Sequence, residues 1–190
     1  MRLKKLSAFF ALLAIILLIG HVGFSIVAYI LFLYNPLMTK LFAIPFLICV
    51  CLHGILAMFS LFWRGEGTAL STYPGMNRST LLQRATAALL FPGVILHMYH
   101  FGLLQASAES GRMWLFWLLL VFQLLFYAVV ITHVTVSFSK ALITLGLVSS
   151  RKVQKTIDSF LYVLGAVVFV VTTFVITYTQ LAMFLGGGQG

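Results

Sequence analysis

With 190 residues, 62% of them hydrophobic and 8% charged, the chain carries more apolar surface than a water-soluble fold can enclose. Twelve Lys and Arg against three acids give a net charge of +9, but the basic residues fall in short clusters and form no nucleic-acid-binding stripe. They read as topology signals of an all-α integral membrane protein.

The N-terminal Met-Arg-Leu-Lys-Lys before an apolar run has the opening of a signal peptide. The run continues to about Tyr34 with no small-residue cleavage site at its end, so a retained helix is expected. A span needs about 20 apolar residues. Five stretches qualify: 8–33, 41–63, 81–107, 114–147 and 157–185. Helices satisfy their own backbone groups in lipid, whereas a barrel needs alternating strands of about ten residues, and no such alternation occurs. A single bundle of five transmembrane helices is therefore expected, without repeats, a soluble domain or low-complexity segments. The fourth stretch is long enough to project past the hydrocarbon or to tilt.

Asn35-Pro36 predicts a tight turn between the first two spans, and 65–80, with Gly65, Gly67, Pro74 and Gly75, predicts the one substantial loop. The tail 186–190 is expected to be flexible. Cys49 and Cys51 flank no metal-ligand spacing and no Cys-x-x-Cys-His, so both are expected to be small core residues. Arg2, Lys4 and Lys5, then Arg64, Arg78 and Arg84, then Arg151, Lys152 and Lys155 gather on one side of the map. The other side holds Lys40 and Arg112. The positive-inside rule then predicts a cytoplasmic N-terminus and an outer C-terminus.

All five histidines, His21, His53, His97, His100 and His133, fall inside the expected spans, and each of the first four spans carries at least one. Ionisable groups are expensive in hydrocarbon, so an intramembrane histidine is a functional candidate, although a single one often serves as a neutral core residue. One on each of four helices points to axial ligation of haem b, in which one ring nitrogen binds iron and the other N–H is held by an acceptor. Structural zinc favours closely grouped Cys or carboxylate ligands, and proton relays recruit Asp or Glu within the spans.

Depth estimates bear on pairing. His53 lies 11 residues from Arg64, hence about 16 Å deep, while His97 and His21 lie 13 and 16 residues from Arg84 and Lys5, hence about 20 to 24 Å. His133 is seven residues from Lys140. This favours pairing His53 with His133 and His21 with His97. His133, Ser137, Lys140 and Thr144 follow steps of four, three and four, so they share one helix face, as do His53 and Arg64. Lys140, Arg64 and Arg84 are candidate partners for haem propionates, with snorkelling to lipid headgroups as the alternative for Arg64. Gly20 and Gly93 would admit a flat macrocycle or serve ordinary helix packing.

The stretch Leu82-Gln83-Arg84-Ala85-Thr86, with the apolar run to His97, resembles the third-helix entry of the cytochrome b membrane anchor of succinate dehydrogenases and fumarate reductases. The similarity is to the single-chain, five-helix, dihaem form. His133 with Ser137, then Leu145-Gly146-Leu147 and Ser149-Ser150-Arg151, is similar to the same family, as are His53 before a basic helix end and His21 after the Lys-Lys start. The resemblance spans nearly the whole chain. It implies that His53 and His133 bind the haem nearer the catalytic subunits and that His21 and His97 bind the distal one. His100, three residues from His97, is the alternative third-helix ligand. The resemblance further implies a cytoplasmic FAD flavoprotein, an iron-sulfur subunit, menaquinone and a bacterial cytoplasmic membrane.

Some fumarate reductases of this type carry a glutamate just before the fourth-helix ligand, where this chain reads Val130-Ile131-Thr132. No transmembrane proton route of that kind is supported. Glu66, Glu109 and Asp158, the only acids, are expected in loops or at helix ends, with Glu109 a solvated acid or a proton exchanger at a distal quinone site. Other dihaem cytochromes b, of hydrogenase, formate dehydrogenase or b561 type, fit the histidines too. A haem-free transporter or assembly factor is the contrasting class. The expected role is electron transfer, with substrate chemistry on partner subunits.

Overall fold

The computed structural model describes residues 2–33, 35–64 and 74–186, with side chains for 3–33, 35, 37–60 and 79–186. Five helices follow in order: α1 Arg2–Ile30, α2 Pro36–Arg64, α3 Pro74–Glu109, α4 Met113–Leu145 and α5 Arg151–Leu185. Each is long and apolar enough to cross a membrane, and among the described residues no strand occurs. At 29 to 36 residues the helices exceed the roughly 20 that a bilayer core requires, so they tilt or project beyond it. Large apolar side chains such as Ile16, Ile55, Phe91 and Phe174 cover the outside, which is the arrangement lipid demands.

The helix ends explain where sequence and structure differ. Hydropathy marks only the apolar part of a helix, so α1 starts six residues earlier than expected and α5 starts at Arg151, outside the run that begins at 157. The loop expected over 65–80 is shorter, because Pro74 opens α3; proline suits a first helical position, whose N–H has no helical partner anyway. Residues 65–73 lie outside the described residues, as do the tail residues 187–190. Helix α4 stops at Leu145, two residues short of the expected end, because Gly146 turns left-handed with φ 81°. Its N–H reaches Ile143 O, and Leu147 N–H reaches Leu142 O, a pairing that satisfies the last carbonyls.

Between α1 and α2, Phe32 takes the left-handed conformation at φ 51°, which costs about 1 kcal/mol in a residue with a Cβ. Hydrogen bonds from Phe32 N to Tyr29 O and from Leu33 N to Ala28 O close that end. Asn35 then caps α2: its Oδ1 accepts from Leu37 N at 3.0 Å and Met38 N at 3.2 Å. The tight turn expected at Asn35-Pro36 is thus a cap followed by the first helical residue.

Helix α1 packs on α2, α4 and α5, and α4 packs on α3 and α5. The first four helices form a ring in the order α2, α1, α4, α3, with α5 laid against α1 and α4 and touching α3. Among the described residues no close backbone approach joins α1 to α3, α2 to α4 or α2 to α3. Among the described residues α2 therefore makes its close backbone approach to α1 alone. A buried cluster of Leu104, Phe116, Leu119 and Leu120 seals α3 to α4 at the end where those two helices connect.

Candidate functional site: two histidine pairs on the diagonals of a helix ring

The four expected ligands stand one on each helix of the ring: His21 on α1, His53 on α2, His97 on α3 and His133 on α4. His53 and His133, on α2 and α4, lie within electrostatic range of each other. His21 and His97, on α1 and α3, do so too. From Ser7 to His21 along α1 is 14 residues and from Thr86 to His97 along α3 is 11, so about 16 to 21 Å of helix rise separates the two pairs.

The first pair is held by hydrogen bonds. His53 Nδ1 lies 2.9 Å from Ser7 O and 3.0 Å from Ser7 Oγ, and that hydroxyl also reaches His53 O at 3.3 Å. His133 Nδ1 lies 3.0 Å from Thr86 Oγ1 and 3.2 Å from Gln83 O. In each case the anchor belongs to the neighbouring helix, α1 for α2 and α3 for α4. Among the described residues neither Nε2 makes a hydrogen bond, so each ring keeps a lone pair for a metal. Sequence reasoning assigned no role to Ser7, Gln83 or Thr86 in holding these rings. Ser7 is 46 residues from His53, and only the packing of α1 on α2 brings them together.

The second pair is held by aromatic faces. His21 stacks on Phe46, with centroids 6.3 Å apart and planes 9° from parallel. His97 stacks on Phe126 at 5.0 Å and meets the edge of Tyr127. His21 Nδ1 is buried without a partner. Imidazole stacking of this kind orients a ring without engaging its nitrogens. His100, one turn beyond His97, is 3% exposed and tilted against Phe122, and neither of its ring nitrogens has a partner.

The glycines serve packing. A Cβ on Gly93 would stand 2.6 Å from the Phe126 ring, and one on Gly20 would stand 3.1 Å from that of Phe42. Gly93 therefore makes the room in which Phe126 supports His97, and the helix-packing alternative accounts for both positions.

Below His133, Lys140 is half-buried and donates from Nζ to Gln83 Oε1 at 3.0 Å. Asp158, expected near a helix end, sits two turns into α5 because that helix begins at Arg151; it lies within electrostatic range of Lys140. Ser137 Oγ, between His133 and Lys140 on the same face, is buried without a partner. Thr144 hydrogen-bonds the Lys140 carbonyl of its own helix. Arg84 is half-buried beside Gln83 on α3. The Arg64 side chain and Glu66 lie outside the described residues. Glu109 accepts from Gln105 Nε2 at 2.8 Å on the exposed end of α3, as a solvated acid does. Cys49 is buried, but Cys51 is exposed on the outer face of α2 and is no core residue.

A further polar group joins α1, α4 and α5. Gln123 and Gln180, 2% and 1% exposed, exchange side-chain hydrogen bonds at 3.2 and 3.3 Å, and Gln180 Nε2 also reaches Tyr29 Oη at 3.3 Å. Its signal in the sequence is two isolated amides within apolar runs, where an unpaired polar group is costly.

Among the described residues no three or more His, Cys, Asp or Glu converge as a metal-ion cluster. The histidines come instead in twos within electrostatic range, with Nδ1 hydrogen-bonded in both rings of one pair and a buried, unpartnered Nδ1 on His21 in the other, which is the donor chemistry that imidazole ligation of a haem uses. No family model, curated protein or solved structure matches the chain.

Proposed function

We propose that this multi-pass membrane protein is the cytochrome b membrane anchor of a succinate dehydrogenase or fumarate reductase, carrying electrons through two b haems between an iron-sulfur subunit and menaquinone. The observation that carries the reading is that four histidines, one on each of α1 to α4, come in two pairs within electrostatic range, His53 with His133 and His21 with His97. His53 and His133 would hold one haem iron and His21 and His97 the other. When bound, haem supplies reversible one-electron transfer.

The residues around each pair orient the rings and exclude water. Ser7, Gln83 and Thr86 fix two of the rings, and Phe46 and Phe126 support the other two. Lys140, with Arg84 and Arg64 at the same end, supplies positive charge for propionates. That end carries most of the basic residues, so it is cytoplasmic, and the C-terminus lies outside in a bacterial cytoplasmic membrane. The flavoprotein with FAD and the iron-sulfur subunit dock there and perform the substrate chemistry.

Purification in mild detergent tests the proposal. A b-type α-band in the reduced-minus-oxidised spectrum, about two haems per chain, and co-purification of a flavoprotein and an iron-sulfur protein are expected. A colourless, haem-free protein overturns it in favour of a transporter or assembly factor. Two haems with hydrogenase or formate dehydrogenase subunits would keep the ligands and change the partners.

A further inference from the structure

The oxygen atoms around His53 and His133 determine where each ring carries its proton. A carbonyl oxygen only accepts, so the 2.9 Å contact to Ser7 O and the 3.2 Å contact to Gln83 O require an N–H at Nδ1 of both rings. The hydroxyls agree. Thr86 Oγ1 donates to Leu82 O at 2.8 Å and to Gln83 O at 3.0 Å within its own helix, which leaves a lone pair facing His133. Ser7 Oγ donates to His53 O at 3.3 Å and likewise turns a lone pair to the ring.

We infer that Ser7 and Thr86 are matched positioning residues, which with the Ser7 and Gln83 carbonyls lock His53 and His133 in the Nδ1–H tautomer, leave Nε2 of both rings as the metal-binding nitrogen, and set the redox potential of the haem they share apart from that of the second haem. The redox half of this inference rests on the proposed haem function; the tautomer half does not. The free imidazole of histidine favours Nε2–H, so an Nδ1–H form imposed on two rings by two different helices is a built feature. An acceptor on Nδ1–H raises the basicity of Nε2 and stabilises the oxidised metal, which lowers the potential. His21 and His97 have aromatic faces in place of oxygen acceptors and receive no such contribution.

Two measurements on the full-length protein test the inference. In the first, haem-free protein labelled with 15N at histidine is examined in detergent, with His53→Asn and His133→Asn assigning the signals. The expected result is Nδ1–H in both rings, with the His133 signal altered by Thr86→Val, restored by Thr86→Ser, and His53 unaffected by either. Nε2–H in both rings would overturn the tautomer half.

In the second, the haem-loaded protein is titrated potentiometrically. Ser7→Ala and Thr86→Val are each expected to move one of two redox waves to higher potential and to leave the other in place, and Thr86→Ser to return the wave toward its original position. Equal movement of both waves, or of neither, overturns the redox half. A protein that takes up no haem but shows both Nδ1–H rings removes the cytochrome function and the redox half together and leaves the positioning role standing.

Discussion

The two histidine pairs sit on the same four helices, yet one is held by oxygen acceptors and the other by ring faces. His53 and His133 have their Nδ1 atoms 2.9 to 3.2 Å from backbone and hydroxyl oxygens, so both rotation and tautomer are fixed. His21 and His97 lie against Phe46 and Phe126, which fix the ring planes, and among the described residues His21 Nδ1 is buried with no hydrogen-bond partner. A hydrogen bond orders a ring along one direction and tunes its chemistry; a stacked ring orders a plane and keeps the surroundings dry. One bundle thus offers two histidine pairs in different settings.

On the proposed cytochrome function, the largest expected effect that tests this division is loss of a whole haem. His53→Ala or His133→Ala is expected to halve the haem per chain and leave the spectrum of the stacked pair intact; retention of both haems would refute the ligand assignment. His97→Ala and His100→Ala separate the neighbours on α3. The first should remove the stacked pair's haem and the second should leave both haems in place. The opposite outcome makes His100 the ligand and His97 its packing neighbour.

Gly93→Val comes next. The added side chain meets Phe126 at a distance no ring tolerates, so Phe126 and the His97 stacked on it must shift. Overpacking of this kind costs about 1–3 kcal/mol, read as a lower unfolding temperature in detergent. Haem loss confined to the stacked pair is the expected accompaniment. The smallest effect concerns the amide group. Gln180→Leu leaves Gln123 without its partner and should destabilise by about 1–2 kcal/mol, with Gln123→Leu/Gln180→Leu regaining part of the loss in a double-mutant cycle. Additive losses would show that the two amides act independently.

The presence of five helices and the helix that carries each histidine were legible in the sequence, because hydropathy and the cost of burying imidazole are local properties. The helix ends were less so. Pro74 and Gly75 read as a turn but open a helix, and the polar first turns of α1 and α5 continue the helix outside the apolar run. The holding of the rings was not legible. Ser7 is one hydroxyl in a lipid-facing helix until α2 brings His53 beside it, and Thr86 gains its role only from His133, 47 residues away. Gly93 was ambiguous for the same reason: space for a macrocycle and space for Phe126 look alike until the neighbouring helix is in place.

The diagonal placement of the histidines also bears on assembly. The short turn at Phe32 makes α1 and α2 one hairpin, and residues 110–112 make α3 and α4 another. Each histidine pair takes one member from each hairpin, so a ligand shared by either pair ties the two together. Its binding free energy is then part of the free energy of closing the hairpins on each other, and the loaded protein gains stability as occupancy rises.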